Sequence, residues 1–574
     1  MAGELISRIY GNFRGVDFRG EEINLMRSPD SLNVWKDYKE TESIRTRPGL
    51  KLYEKPFLKN STDAIHGIYF YNDSIYVHKG DSLYIATKSD KEFYTDAITR
   101  QKLKKQASNG FIYEEQFYFM DGGKYWVWGC DNETHSTYDP HEVVGYIPTT
   151  SISKEAQQGG TILQDTNMLT PLRINTFRGD GKGTEFWLDK YDIDTDYSPI
   201  VKVNDEVVTN YTVDYANGKI TFKTAPTAPN TDGQDNISVQ FSKTIEGYRE
   251  MITNCTMLQV FDNRVFVSGN PKYPNMVWHC SLNDPTYFSD TDFYREGMDL
   301  ATVTGMVAGN NALWVFREPS ETNTTVFYHT PTIDEEYGKV YPSTHSSVTT
   351  GCIGKAINFN DDIVFFSERG MEGISGDITT EQVLGHRSTL VDRKLTAEPN
   401  YKNMILEEWE GYLMVFIGNK VYLADSRTAF TNEDHIEYEW FYWELEHNIT
   451  CAKVNNGILY LGTENGELYT LTDNESDVES YWTTPKDKFQ YPQKQKTSNK
   501  RGCVVEASGD ISIYAKLEDT DFELIGEYKN ITDYFVSRIK RKKFKDIQLK
   551  FYSKTRFSLE TATLECFVGG YLKR

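Results

Sequence analysis

The 574-residue chain reads as all-β: a β-propeller of six to eight blades with an inserted small β-sandwich and a C-terminal β-sandwich. Three observations carry this expectation. A strand–turn–strand unit recurs seven times, aromatic residues reach 14% with 38 Tyr and 31 Phe, and 41 Gly are available for turns. Aromatic side chains suit pleated surfaces and cross-strand pairs, so this composition favours strands over disorder.

The repeat is plain in YNDSIYVHKGDSLYIATKSD (71–90), where Tyr76 and Val77 precede a Lys79-Gly80-Asp81 turn and Leu83, Tyr84 and Ile85 follow it. A unit this small cannot cover its own apolar face, and its copies are the natural cover. Such units span 64–86, 109–129, 255–280, 303–330, 353–376, 404–426 and 452–473. Each leads through an Asn/Asp/Gly turn into a second strand such as VFVSG, ALWVF, IVFFS, YLMVF or ILYLG, and then a third. The turn residues tolerate positive φ or hydrogen-bond their own backbone. From 255 onward the units recur at roughly 50 residues, the length of a four-stranded blade with generous loops. A series of meanders or a sandwich is the alternative; seven repeats favour the propeller. Its parts are 61–169 and 246–488, with 1–60 as an N-terminal arm whose residues 15–60 supply closing strands. There is no kelch or WD signature, and the scaffold carries no activity by itself.

Between the second and third units, residues 170–245 form a self-contained segment. Strands are expected at TEFWL, IVKVN, TNYTVD, KITFKT and ISVQF, separated by GDGKG, Asn204-Asp205, Asn217-Gly218 and a Pro/Asn/Asp-rich loop. Asn217-Gly218 has the form of a two-residue hairpin turn. Together these make a small β-sandwich.

The pattern is carried by Phe177, Gly179, Asp180, Gly181, Thr184, Phe186 and Leu188, then Val201, Val203 and Asn204, then Tyr211 to Asp214. It ends on Gly218, Ile220, Thr221, Phe222, Ala225, Pro226, Ile237 and Val239. This resembles a small immunoglobulin-like module found inside many tailed-bacteriophage virion proteins, and it covers about 13% of the chain. The N-terminal stretch GVDFRGEEINLMRSPDSLNVWKDYKETESIRTRPGLKLY, through Pro29, Asn33, Ile44, Arg47 and Gly49, resembles the opening of phage propeller proteins of the packaged-DNA stabilisation, tail-nozzle and minor structural type. The resemblance implies a non-catalytic virion subunit in a ring around the DNA channel, at the head–tail junction or in the tail.

From 489 the composition shifts. Alternation in ISIYAKL and IQLKFY predicts a closing β domain over 489–574, similar to the terminal sheet of those phage proteins. Arg538, Lys540, Arg541, Lys542, Lys543 and Lys545 form a basic run in a chain of net charge −22. One reading is a solvated strand edge, where lysines discourage edge pairing. The other is a surface facing DNA or the acidic surface of a neighbouring subunit. The overall charge argues against a general electrostatic grip on nucleic acid, and nothing in the run indicates sequence readout.

Other chemistry is sparse. Cys130, Cys255, Cys280, Cys352, Cys451, Cys503 and Cys566 lie far apart with no CxxC, as expected of free buried thiols in a reducing compartment. The 10 His include no HExxH, and His135 and His141 near Asp131 and Asp139 read as solvated loop residues. GDGKG (179–183) precedes a strand rather than a helix and reads as a hairpin turn, not a phosphate loop. The acids of DKYDIDTDYSP lack the spacing of a helical calcium loop. No metal, cofactor or catalytic residue is assigned. Glu368 and Glu372 are the carboxylates that a glycoside-hydrolysing propeller would use, with Glu407, Glu408 and Asp425 also at strand ends. The aromatic patches YWVW and WFYWELE would stack sugars if exposed and otherwise serve as core.

The N-terminus has no uninterrupted apolar run of the secretory kind, and no stretch reaches the length of a membrane-spanning helix. The expected role is a structural subunit of a phage connector or tail, made in the host cytoplasm and located in the virion. Its expected partners are its own copies in a symmetric ring, portal, adaptor or other tail proteins, and genomic DNA passing without sequence-specific binding. The alternatives are a carbohydrate-binding or glycoside-hydrolysing propeller, such as a receptor-binding tail component, and a cytoplasmic interaction scaffold.

Overall fold

The computed structural model describes residues 4–20, 23–38, 43–53, 61–72, 74–87, 102–129, 140–157, 159–231, 233–335, 338–375, 382–432, 435–472, 477–539 and 543–571. The described chain is nearly all-β, with helix confined to short turns such as Tyr248–Thr253. It falls into two compact units, Met1–Ala97 with Ser346–Arg574, and Ile98–His345.

Each of the seven repeats becomes an antiparallel meander sheet. Blade 1 has three strands, Ile65–Tyr71, Ser74–Lys79 and Ser82–Thr87. Blades 2, 3 and 4 have four each and begin at Asn109–Tyr113, Met257–Phe261 and Val303–Gly309. Blades 5 and 6 begin at Ala356–Phe359 and Ile405–Trp409. Blade 7 comprises Ile449–Asn455, Ile458–Thr463 and Leu468–Thr472, and its fourth strand is Gly49–Leu52 from the N-terminal arm. First strands lie side by side: those of blades 2, 3 and 4 in one unit, and those of blades 6, 7 and 1 in the other. Meanders arranged by their first strands are the propeller arrangement.

The local reason for blades 2 to 7 is a two-residue turn between the first two strands. Asp262-Asn263, Asn310-Asn311, Asn360-Asp361, Glu410-Gly411 and Asn456-Gly457 all have φ between 49° and 76°, the type I′ geometry that matches strand twist. In blade 2 the same positions hold Glu114 and Glu115, at φ 46° and 62°. The second strands are buried on both faces, as in Tyr412–Ile417 and Ala312–Arg317. Blade 5 packs on blade 6 through Val364, Phe366 and Met371 against Leu413, Val415 and Tyr422. Fully burying one such side chain stabilises by about 1.5–3 kcal/mol. Both aromatic patches are core: Tyr125–Trp128 and Trp440 to Trp443 are buried.

The insert is a sandwich. Its larger sheet runs Thr161–Ile162, Thr149–Lys154, Leu172–Phe177, Ile237–Ser242, Ile200–Val203, Glu206–Val208, so it also takes two strands that precede residue 170. The smaller sheet is Glu185–Trp187, Lys219–Phe222, Tyr211–Asp214. Phe177, Phe186, Val201, Ile220, Phe222, Ile237 and Val239, all residues of the pattern described above, fill its core. Two turns differ from expectation. GDGKG carries the chain from one sheet to the other rather than closing a hairpin, with Asp180 Oδ1 accepting the N–H groups of Lys182 and Gly183 at 2.8 and 2.6 Å. Asn217-Gly218 ends a four-residue loop, because Asp214 accepts the Asn217 N–H at 3.1 Å and the strands pair again only at Asp214↔Lys219.

The C-terminal domain is one eleven-stranded sheet built on two long strands, Lys494–Leu517 and Phe557–Tyr571. It recruits the N-terminus: Glu4–Gly11 pairs with 561–568, Ser31–Leu32 with 481–482, and Ile44–Thr46 with 558–559. Its core, including Val505, Ile513, Phe551 and Leu559, is continuous with Trp409, Phe416, Trp443 and Leu459 of blades 6 and 7.

Arg47 is the hub of this junction and is 0% exposed. Its Nε donates to Asn33 Oδ1 at 3.1 Å, Nη1 to the Pro48 carbonyl at 3.0 Å, and Nη2 to the Glu444 carbonyl at 3.2 Å and Glu446 at 2.8 Å. Burial lowers the Arg47 pKa, and Glu446 works against that. Asn33, at φ 55°, also accepts the Glu444 N–H and donates to the Glu479 carbonyl. Asn33 and Arg47 therefore bind the arm to blade 6 and to the segment entering the terminal sheet. The six described cysteines form no disulfide, and Cys130 lies outside the described residues.

Candidate functional site

The basic run folds against the long strand Lys494–Leu517. The pairs Thr497↔Lys543 and Cys503↔Ser537 set its two ends beside a strand that carries Lys494, Lys496, Lys500 and Arg501. Two basic segments far apart in sequence thus become neighbours. Buried Ile539 and Phe544 anchor the run, whereas Arg538, Lys543 and Lys545 are exposed, and none of these three forms an ion pair with a described carboxylate. Lys540, Arg541 and Lys542 lie outside the described residues. Lys496 is of another kind: it is buried, its Nζ donates to the carbonyls of Tyr491 and Lys545 at 2.6 Å each, and burial lowers its pKa.

The outward face of this sheet is defined by register. One row across four strands is Val536, Val504, Thr563, Ile9, and another is Lys543, Thr497, Phe567, Leu5. The residues flanking Val504, Thr497 and Phe567 along their strands are buried, so these rows face away from the core. Leu5, Ile9, Val536 and nearby Tyr534 are 51%, 65%, 47% and 62% exposed. The face therefore mixes apolar side chains with cations and with the carboxylates Glu506 and Glu565, which share its outward parity. Residues 489–574 hold 17 Lys and Arg against 11 Asp and Glu, whereas residues 346–488 hold 11 against 25.

The carboxylates do not form a facing pair. Glu368 is exposed on the turn between Asp362–Ser367 and Gly370–Ser375, while Glu372 is 1% exposed inside blade 5. Glu372 Oε2 lies 3.3 Å from His386 Nδ1, its Oε1 lies 3.0 Å from Arg369, and His386 Nε2 lies 2.6 Å from Asp392. Burial alone would raise the Glu372 pKa, but His386 and Arg369 take it below the usual range. Burial opposes charge on His386 as well, yet Asp392 and Glu372 lift its pKa to about 9. Glu372 is an ionised carboxylate in a closed network, unsuited to protonating a leaving group. Glu407 accepts the Val454 N–H at 3.0 Å, Glu408 is exposed, and Asp425 is held by Arg427 at 2.9 Å and by the Tyr38 hydroxyl.

His141 is buried, at the start of the last strand of blade 2, rather than solvated; Asp131, His135 and Asp139 lie outside the described residues. Asp194 of the Asp-rich stretch accepts from Ser242 at 2.6 Å and from the Thr244 N–H at 2.8 Å, which stitches the insert. Among the described residues, no group of three or more His, Cys, Asp or Glu is arranged to hold a metal ion.

Two buried polar pairs have no signature in the sequence. His329 Nε2 lies 3.0 Å from Glu296 with both side chains fully buried, and Ser343 donates to the other Glu296 oxygen at 2.7 Å. Arg27 forks onto buried Glu439 at 2.9 and 2.7 Å. The partners are 33 and 412 residues apart, so no local pattern announces them. Both link neighbouring elements of the scaffold.

No family model and no curated relative matches the sequence. Among solved structures, the chain is similar to the computationally designed Ika8 protein, at 10% identity and TM-score 0.32, over 74% of this chain and 99% of that one. It is similar to BamB from Moraxella catarrhalis at 11% identity and TM-score 0.32, over 74% and 97%. The Neurospora crassa Pan2 WD40 domain gives 9% identity and TM-score 0.27, over 74% and 94%. The propeller class rests on the strand order above, and no role is carried over from these proteins.

Proposed function

We propose that this chain is a non-enzymatic assembly subunit, a structural component of a tailed-phage connector or tail that forms a ring around the DNA channel. The observation that carries the reading is the outward face of the C-terminal sheet, where cations and exposed apolar residues stand together. The ionisable clusters inside the blades, by contrast, are engaged in the scaffold: His329 and Glu296 join blades 3 and 4, and Glu372, His386 and Asp392 tie two strands of blade 5 to the helical turn that follows. The phage context comes from the resemblance of the insert and of the 15–53 segment. Within that segment, Asn33 and Arg47 serve as the clasp between arm, blade 6 and terminal sheet. Function then lies in symmetric association and in a wall that duplex DNA passes without base readout. Electron microscopy of the purified protein and of particles tests this. Closed rings of uniform copy number on the tail axis are the expected result, and a monomer at every concentration, absent from particles, overturns it.

A further inference from the structure

We propose that the outward face of the C-terminal sheet docks on a second copy of this chain, against the acidic blades of residues 346–488. This names the subunit contact of the ring and rests on the assembly reading above.

Three observations carry it. The face is mixed: exposed Leu5 shares a row with Lys543, exposed Ile9 and Val536 share another row of the same face, and Arg538 and Lys545 are close by in sequence. An apolar centre with a charged rim is how protein partners are recognised, whereas a phosphate backbone would use the cations and leave the apolar row wet. Second, charge is segregated along the chain. The domain that bears this face has an excess of Lys and Arg, and residues 346–488 have more than twice as many acids as bases. Asp361, Glu408, Glu464 and Asp477 of that region are exposed. Third, two-fold pairing would set a domain with 17 Lys and Arg against 11 Asp and Glu on its own copy, which offers no excess of acid to complement it. The complementary patch is therefore elsewhere on the molecule. Such a head-to-tail contact propagates and closes into a ring when the rotation allows.

Sedimentation velocity on the full chain tests this. The variants are Arg538→Glu/Lys543→Glu/Lys545→Glu on the face and Glu408→Lys/Glu464→Lys/Asp477→Lys on the blades. Each alone is expected to raise the apparent dissociation constant of assembly by about 10- to 100-fold, and mixing the two should restore it, because each then supplies the charge the other lacks. Ile9→Ser weakens assembly without touching charge, and salt of about 0.5 M weakens the wild type. Circular dichroism confirms that the variants fold. If the wild type forms rings that neither set disturbs, the docking surface is overturned while the assembly reading stands. A wild type that never associates overturns both. Normal assembly of the face variant with lost affinity for a DNA duplex also overturns the proposal, and identifies the face as a polyanion surface.

Discussion

Replacing Arg47 by Ala should release the N-terminal arm from blade 7 while leaving the blades folded. The guanidinium is fully buried and donates to Asn33 Oδ1 and to the carbonyls of Pro48 and Glu444. Truncation leaves these three acceptors short of a donor, at about 1–3 kcal/mol each before water fills the space. The exposed Glu446 rehydrates and adds little. With partial relief by water, the net loss is about 3–5 kcal/mol, the usual cost of removing one partner from a buried charged network. Local opening of Gly49–Leu52 should then become about 150- to 5,000-fold more frequent. Hydrogen exchange read by mass spectrometry checks this, comparing peptides over Ile44–Thr46 and Gly49–Leu52 with the core strand Asp362–Ser367. Arg47→Lys, which keeps the charge without the fork, should fall between. If Arg47→Ala changes protection at Gly49–Leu52 by less than about threefold, the hub reasoning is wrong. A loss shared equally with Asp362–Ser367 refutes the local release.

His386 is held above its free value, to about 9, so its stabilising contribution is complete below the unfolded value near 6.5 and is lost as pH rises through about 9. Thermal melts between pH 6.5 and 10 should show this decline, of at most about 3 kcal/mol, and His386→Asn should flatten it. Glu114→Asn should stabilise by about 0.5–1 kcal/mol, seen as a higher melting temperature, because Asn tolerates φ 46° better than Glu. Gly218→Ala should destabilise the insert by at least about 1–2 kcal/mol, since its Cβ would stand 1.9 Å from the Lys190 carbonyl oxygen at φ 58°. Faster proteolysis within 170–245 reports that loss.

The blades were readable because their hairpins are local: Asn and Gly mark the turns, and the second strands are nearly continuous apolar runs. Glu114-Glu115 carries no turn signal, yet it adopts the same conformation, since the strands on both sides already set the register Tyr113↔Gln116. The closing strand Gly49–Leu52 is four residues long, and its pairing with Thr472 to Tyr469 leaves no periodic trace. The basic run was visible as a run. Its convergence with Lys494 to Arg501, and the apolar rows beside it, depend on the order of strands in the terminal sheet, which alternation alone does not specify. The His386 cluster was half visible through Glu372, because a hydrogen-bond network spanning two strands and a helical turn has no sequence spacing of its own.

The pairing of Gly49–Leu52 with blade 7, and of Glu4–Gly11 with 561–568, also imposes a schedule. At a synthesis rate of roughly 5–20 residues per second, the strand at 49 waits roughly 20–80 s for its partner to emerge from the ribosome, and Glu4–Gly11 waits longer still. Throughout that interval the nascent arm is an unpaired strand donor, open to the same acceptor edge on another chain of the same polysome. A completed chain closes on itself at once, because its own acceptor is tethered and every rival is dilute. The emergence of Leu468–Thr472 and Phe557–Tyr571 thus locks the arm, and a stop before them leaves it without its partner strands.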